Sequence, residues 1–433
     1  MRLLAIADSD SYLKWAAALL RTLPGEHRLV VVRSPITPSA AQRRAAVSGG
    51  REDSPVPEVL TARRLRTLLR AYDPDAVLLA CTGPVVRALS PWVSRDRRRV
   101  LLTGLPGISV PANEKAWRFR AAADLFVVHS GREVAEFGAI ARDLELPGRV
   151  ARATLPFLHD AATSEGPRDP VDPGGDPQAP EGRSGRSSLR SGRPDRVDLG
   201  GDPQAPEGRS GRSSLRSGRP DRVVFATQAK VPERREERER VLYALADLAR
   251  ARPDLRVVVK LRARAGEEQT HREDLHYETL WRELPVEHGL LHFDAGPMHA
   301  QLARAAGFVT VSSTAALEAI AADVPLLVLS DFGVNERMIN LVFEGSGVLG
   351  TLRELVQGRF HRPDEAWCAE NYFHPEAEND WVRELEALVA RARTLPGPVG
   401  DPGGRWARTR ASLRVELPPV AYRGALRLRR ALR

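Results

Sequence analysis

The stretch Phe308–Ser330 reads FVTVSSTAALEAIAADVPLLVLS, and its pattern decides the fold. An apolar run, Phe308–Val311, meets three hydroxyl residues, Ser312, Ser313 and Thr314. A helix-like segment carrying Glu318 follows, and a second apolar run, Pro325–Leu329, closes the unit. The order is strand, polar turn, helix, strand. Such a unit predicts hydroxyls and free backbone N–H groups at a helix start, which suits a phosphate. Capping the helix needs one hydroxyl, and three exceed that need. Glu318 lies four residues after Thr314, on the same helical face and one turn deeper. A capping box would put Ser or Thr at position 315, which is Ala315, so capping does not explain Glu318. A carboxylate there is placed to accept hydrogen bonds from ribose or sugar hydroxyls.

Working outward, Val257–His271 reads VVVKLRARAGEEQTH. A buried-type strand delivers Lys260 and Arg262 to its C-terminal end, where an open α/β sheet places its ligand. Two cations there suit a diphosphate or a carboxylate. Gly266, Glu267 and His271 follow on a loop that would face the same place. The alternation continues in both directions. Val223–Ala226 and Arg256–Leu261 read as strands, with helices over Arg235–Arg250 and near His276–Arg282. Nearer the N-terminus, strands are expected at Leu3–Ala7, Leu29–Val32, Ala76–Ala80, Val100–Leu102 and Leu125–Val128. Helices are expected between them at Tyr12–Arg21, Leu60–Ala71, Val85–Val93 and Gly131–Ile140. Alternating strands and helices predict an α/β fold of two doubly wound, Rossmann-like domains facing across a cleft.

The joint between them is legible as well. Val171–Arg196 reads VDPGGDPQAPEGRSGRSSLRSGRPDR, and Val197–Arg222 repeats it with Leu199 in place of Pro173. Two Pro/Gly/Ser/Arg-rich copies have almost nothing apolar to bury, so they predict a disordered linker rather than a solenoid. The expected division is an acceptor-side domain over 1–160, the linker over 161–222, a nucleotide-sugar-binding domain over 223–395 and a basic tail over 396–433. Asp364–Ala392 reads as closing helices that turn back toward the first domain.

In the first half, the opening strand ends at Asp8-Ser9-Asp10-Ser11. Three functional readings compete with simple capping of the next helix. One is a catalytic base, Asp8 or Asp10, for an acceptor hydroxyl. Another is a metal-binding Asp-x-Asp, which normally sits deeper in a chain. The third is a phosphatase nucleophile loop, which would want Thr or Val where Tyr12 stands. The base reading is preferred, and no metal ligand set is expected. Thr103-Gly104-Leu105-Pro106-Gly107 offers glycines for a close approach of backbone to ligand or a plain turn. His129 ends the strand Leu125–Val128 and is a second candidate base.

The composition narrows the partners. The chain has 433 residues, a formal charge of +9 and two cysteines, Cys81 and Cys368, without metal-type spacing. Arginine supplies nearly all the positive charge, since the lysines are Lys14, Lys115, Lys230 and Lys260. Basic residues are interleaved with acids, as in VPERREERER, and no nucleic-acid motif is present, so nucleic acid is not an expected partner. No window is apolar enough to span a membrane, and MRLLAIADSDSYLKW breaks off too early for a signal core. A cytoplasmic protein is expected, peripheral to the inner membrane face through the basic ending ALRLRRALR.

These residues resemble the two-domain GT-B glycosyltransferases, particularly bacterial enzymes of surface polysaccharides. The Lys260 strand, Ser312-Ser313-Thr314, Glu318 and the Pro325 strand carry the likeness. In bacterial sialyltransferases of this fold a paired-serine motif holds the nucleotide phosphate, and Ser312-Ser313 match it. Leu261-Arg262 stands where their His-Pro would be, and the chain's His374-Pro375 lies far downstream. The chain is also similar, through ADSDSYLKW, KLRARAGEEQTH and TVSSTAALEA, to an uncharacterised actinobacterial family assigned to the glycosyltransferases. The resemblance implies a metal-independent transferase, without cofactor, moving a sugar from a nucleotide donor to a hydroxyl of a cell-surface glycan precursor. Lys260, Arg262, Ser312, Ser313, Thr314 and Glu318 would bind the donor, and Asp8, Asp10 or His129 would serve as base. The serine cluster favours cytidine-monophosphate sugars over uridine-diphosphate ones. Alternatives are a sugar-nucleotide epimerase or hydrolase of the same fold, or a nucleotide-binding protein without turnover.

Overall fold

Seven parallel strands form the first sheet, and its central strands read as short apolar runs. The computed structural model describes residues 1–48, 55–93, 99–155, 158, 220–262, 273, 275–395, 403–418 and 421–422. The strands are β1 (Arg2–Ala7), β2 (Glu26–Val32), β3 (Val59–Leu60), β4 (Ala76–Ala80), β5 (Val100–Gly104), β6 (Leu125–Val128) and β7 (Arg149–Arg152). Their spatial order is β3-β2-β1-β4-β5-β6-β7. Helices α1 (Asp10–Arg21), α2 (Ala40–Ser48), α3 (Ala62–Tyr72), α4 (Gly83–Val93), α5 (Glu114–Arg120) and α6 (Gly131–Asp143) connect them. β4 and β5 are buried at every residue, as strands covered by helices on both faces must be.

The second sheet repeats the plan. It contains β8 (Arg222–Ala226), β9 (Arg256–Lys260), β10 (Leu291–Asp294), β11 (Ala305–Thr310), β12 (Leu326–Leu329) and β13 (Leu349–Gly350). The order is β10-β9-β8-β11-β12-β13, again all parallel. Its helices are α7 (Arg235–Ala251), α8 (Tyr277–Glu283), α9 (Met298–Leu302), α10 (Ala315–Ala321), α11 (Leu352–Val356) and α12 (Glu365–Glu370). The expected two doubly wound α/β domains of the GT-B architecture are therefore present. Each sheet reverses its winding direction once, between β1 and β4 and between β8 and β11, and ligands of such sheets sit at those points.

After α12 the chain returns to the first domain. Helix α13 (Trp381–Ala390) buries Trp381, Leu385 and Leu388 in the core beneath β5–β7. Helix α14 (Gly404–Glu416) lays Ala411 and Val415 into the cluster around α3 and α4. The span expected as a basic tail from 396 thus contains a packed helix. Ala411 and Val415, four residues apart, supply its inward contact, and a pair of small apolar residues among arginines gives little signal in sequence. The terminal ALRLRRALR, most of the duplicated segment and His271 lie outside the described residues. Among those described, no helix is long and apolar enough to cross a membrane.

Candidate functional site

In the second domain the site begins where β8 and β11 part. Thr227-Gln228 leaves β8, and Val311-Ser312-Ser313-Thr314 leaves β11. Gln228 bridges the gap: its Oε1 accepts from the Ser312 amide at 2.8 Å and its Nε2 donates to Ser312 Oγ at 2.8 Å. A fully buried arginine holds the loop that carries Gln228. Arg238 donates from Nη2 to the carbonyls of Gln228 (3.3 Å) and Ala229 (2.9 Å), and from Nε to Pro232 O (2.8 Å). Its charge is matched by Glu273 at 2.8 Å.

The hydroxyl cluster is less open than its sequence suggests. The Ser313 amide donates to Thr310 Oγ1 at 3.1 Å, and the Ala315 amide donates to Ser313 Oγ at 3.2 Å. Of the successive amides Ser312 to Ala315, only that of Thr314 lacks such a partner among the described residues. The expectation of free helix-start amides is corrected accordingly, because neighbouring side chains satisfy them. Ser312 is buried, Ser313 half-buried and Thr314 exposed. Glu318 stands one turn into α10, and burial pushes its carboxyl up to about 7 against the pull of Lys260 and Lys14. Lys260, at the end of β9, is 9% exposed. Burial lowers its proton affinity, while Asp294 and Glu318 oppose that shift. Arg262, two residues further, is exposed at the rim.

In the first domain the matching switch point holds Asp8. Its Oδ2 accepts from Thr82 Oγ1 at 2.6 Å and from the Thr82 amide at 3.1 Å, tying β1 to the loop after β4. Asp8 is fully buried, and desolvation raises its pKa while Thr82 and the Arg120 charge hold it down. The Ser9 hydroxyl also helps to hold the Asp8 carboxyl down, and Oδ1 of Asp10 is buried without a hydrogen-bond partner. Asp10 also pairs with Lys14 at 2.7 Å.

His129 is placed differently from its expectation at the cleft edge. It is 0% exposed. Trp15 Nε1 donates to its Nε2 at 2.8 Å, and Nδ1 lies 2.8 Å from Ala153 O. Leu105 O lies 2.9 Å from Nε2. The ring therefore binds α1, the loop after β5 and the end of β7 together, and the geometry is that of a core histidine.

The two domains meet across the loop after β5. A Cβ at Gly107 would stand 3.5 Å from Thr314 Cγ2, so this loop faces the hydroxyl cluster directly. Ile108 and Val110 pack into the apolar cluster containing Ala315, Ala316 and Ala319 of α10. Beneath them Glu133, the third residue of α6, is fully buried and joins three segments. Its Oε1 accepts from the Ser109 amide (2.7 Å) and the Tyr372 hydroxyl (2.7 Å), and its Oε2 accepts from the His129 amide (2.7 Å). His374, of the downstream His-Pro, also lies in this joint: its Nε2 is 2.9 Å from Asn379 Oδ1, whose Nδ2 donates to Thr154 Oγ1 at 2.9 Å.

The structure thus brings Lys260, Ser313, Thr314 and Glu318 to one wall of the cleft and Asp10 with Lys14 to the other. Asp8 lies buried behind the second wall. Lys14, Thr82 and Gln228 were missed in sequence. The partners of Thr82 and Gln228 are far away along the chain, Lys14 pairs with Asp10 only one helical turn before it, and a lone lysine, threonine or glutamine carries no motif. Among the described residues no group of three or more His, Cys, Asp or Glu is arranged to hold a metal ion.

Solved structures share this architecture. A UDP-N-acetylglucosamine 2-epimerase superposes with a TM-score of 0.52 at 12% identity, covering 92% of this chain and 98% of its own. MnaA of S. aureus, solved with UDP, gives 0.51 at 12% identity, covering 92% and 100%. The UDP-GlcNAc 2-epimerase of Methanocaldococcus jannaschii gives 0.50 at 10% identity, covering 90% and 98%. At such identities these likenesses speak for the fold alone. No curated protein matches the chain in sequence. A family profile does, from residue 3 to residue 388, which takes in both sheets and the crossing helix α13. The chain belongs to that family, described as "Putative glycosyltransferase (DUF6716)".

Proposed function

We propose that the protein is a glycosyltransferase moving a sugar from a nucleotide-sugar donor to a hydroxyl of a cell-surface glycan precursor, in the cytoplasm at the inner membrane face. The observation that carries this reading is the charged cleft between the two switch points. Lys260, Thr314 and Glu318 face Lys14 and Asp10 across it, in a chain whose family is described as glycosyltransferases. Lys260 with the Ser313 and Thr314 hydroxyls would hold the donor phosphate, and Arg262 would close the rim. Ser312, clamped by Gln228, would set the position of its two neighbours. Glu318 would accept from a ribose or sugar hydroxyl.

Transfer forms a bond between the acceptor oxygen and the anomeric carbon and breaks the bond from that carbon to the phosphate oxygen. Asp8 or Asp10 would take the acceptor proton. Asp10 stands at the cleft wall beside Lys14, and Asp8 stands buried behind it. Lys260 would meet the charge left on the departing nucleotide, so this scheme needs no metal. His129 would act by holding the scaffold.

A thermal-shift screen against nucleotides, uridine-diphosphate sugars and cytidine-monophosphate sugars tests the reading. At least one nucleotide sugar is expected to raise Tm, and Ser313→Ala and Lys260→Met to shrink that shift. No stabilisation by any nucleotide overturns the proposal. Donor turnover that proceeds equally well without any acceptor would assign the protein to the epimerase or hydrolase class instead.

A further inference from the structure

Helix α14 has apolar residues on both faces, and among the described residues only one face has a partner. Ala411 and Val415 point inward against α3 and α4. On the other side Trp406 is 85% exposed, far more than any other large apolar side chain described, and Leu413 is 43% exposed. At about 100° per residue, positions 406, 413 and 417 fall within a strip about 40° wide, which puts Trp406, Leu413 and Leu417 in one line. Arg410, exposed, lies beside that line, and Arg414 lies on the same flank. Glu416 is the sole acid of the helix, and Arg66 of α3 neutralises it at 2.5 Å.

The outer strip therefore presents an indole and a leucine flanked by cations whose charge nothing on the helix balances. An indole left in water forfeits the burial of a large apolar surface, and its N–H suits a half-wet environment. A convex helix with one projecting aromatic and an arginine flank lacks the broad apolar area of a protein interface. It matches instead the headgroup layer of a negatively charged bilayer, where aromatic rings sit at the interface and arginines meet phosphates. The sequence after Tyr422, RGALRLRRALR, adds cations of the same sign.

The geometry points to α14 as the element that docks the protein on an anionic phospholipid surface. Trp406 and Leu413 enter the headgroup layer and Arg410 pairs with lipid phosphate, while Arg414, half-buried, donates to the Tyr422 hydroxyl at 3.0 Å. Because α14 packs on α3 and α4, docking would apply the first domain to the membrane. The inference deepens the inner-membrane placement proposed above, and it does not depend on the transfer chemistry.

Cosedimentation of the full-length protein with vesicles tests it. Binding is expected to vesicles rich in phosphatidylglycerol, to fall sharply on pure phosphatidylcholine, and to weaken at about 0.5 M salt. Trp406→Glu should lower the partition constant by about tenfold and Arg410→Glu by several-fold, with Tm unchanged because both side chains face solvent. The full-length pair Arg427→Glu with Arg430→Glu should keep most of the binding. Wild-type protein that ignores anionic vesicles overturns the proposal. So does Trp406→Glu binding like wild type, or loss of binding confined to the Arg427/Arg430 pair. If Trp406→Glu instead converts a dimer to a monomer in size-exclusion chromatography, the surface belongs to a second copy of the chain and the proposal fails.

Discussion

At the scale of single residues, Glu318 is the group whose chemistry is most exposed to test. Burial among apolar neighbours on α10 raises it to about 7, although Lys260 and Lys14 both favour its ionised form. A carboxylate accepts two or more hydroxyl hydrogen bonds, whereas its protonated form must donate one of them. If Glu318 receives a donor hydroxyl, donor affinity should rise as pH increases through about 7, by about tenfold between pH 6 and pH 8. Glu318→Gln should flatten that profile, and isothermal titration at several pH values reads it. An equal slope in the variant would remove Glu318 from the donor site. Glu318, Lys260 and the hydroxyls were legible in sequence because strand ends and a helix start fix where such side chains stand. The use made of each was not. Ser312 is consumed by Gln228, and His129 by Trp15, through contacts between residues far apart along the chain. A strand-end position says where a side chain begins and nothing about which neighbour reaches it first.

At the scale of elements, the apolar runs were a good guide wherever a strand is central. β4 and β6 occupy the expected residues, and β1, β5, β8 and β9 differ by one or two at their ends. The strands that escaped are β3, β7, β10 and β13, which lie at or next to sheet edges and offer two to four residues each. Half-covered edges need little apolar sequence, so their signal is weak. The joint between elements is a second thing that pattern cannot show. Glu133 fastens α6, the loop after β5 and the segment after α12 through three hydrogen bonds, and desolvation raises its carboxyl to about 7. The folded chain therefore holds this proton to higher pH than the unfolded chain does. The stabilisation it brings is complete below about 4.5 and is lost as pH rises through about 7, a difference of about 3 kcal/mol. Glu133→Gln should remove that pH dependence, seen as the wild-type-minus-variant stability from urea unfolding at pH 5 and pH 8. Tyr372→Phe, which deletes a buried hydroxyl bonded to this carboxyl, should cost about 1.5–3 kcal/mol at pH 8. A loss below about 0.5 kcal/mol would mean that the joint is not held there.

At the scale of the whole molecule, the chain crosses between its sheets twice. The return through α13 and α14 is packed: Trp381, Leu385 and Leu388 enter the first core, and Arg152 pairs with Glu378 at 2.6 Å. The outward crossing, from the end of β7 to the start of β8, carries the tandem copy Val171–Arg196 and Val197–Arg222. Only the closing Pro220-Asp221-Arg222 of the second copy is described, with Arg222 opening β8 and donating to Gln301 at 3.0 Å. The same Pro-Asp-Arg-Val stands where the first copy ends, yet Asp198-Leu199-Gly200-Gly201 follows there instead of the apolar Val224-Phe225-Ala226 of β8. By sequence, only the second copy leads into a strand. Deleting Val171–Arg196 shortens the connection by about a third, and loop closure then changes by only about 0.4 kcal/mol, in the stabilising direction. The deletion should leave Tm within about 2 °C of wild type and leave nucleotide-sugar binding intact. Scanning fluorimetry with and without ligand reads both quantities. A fall of about 5 °C or more, or loss of the ligand shift, would show that the first copy makes contacts the two-domain body depends on.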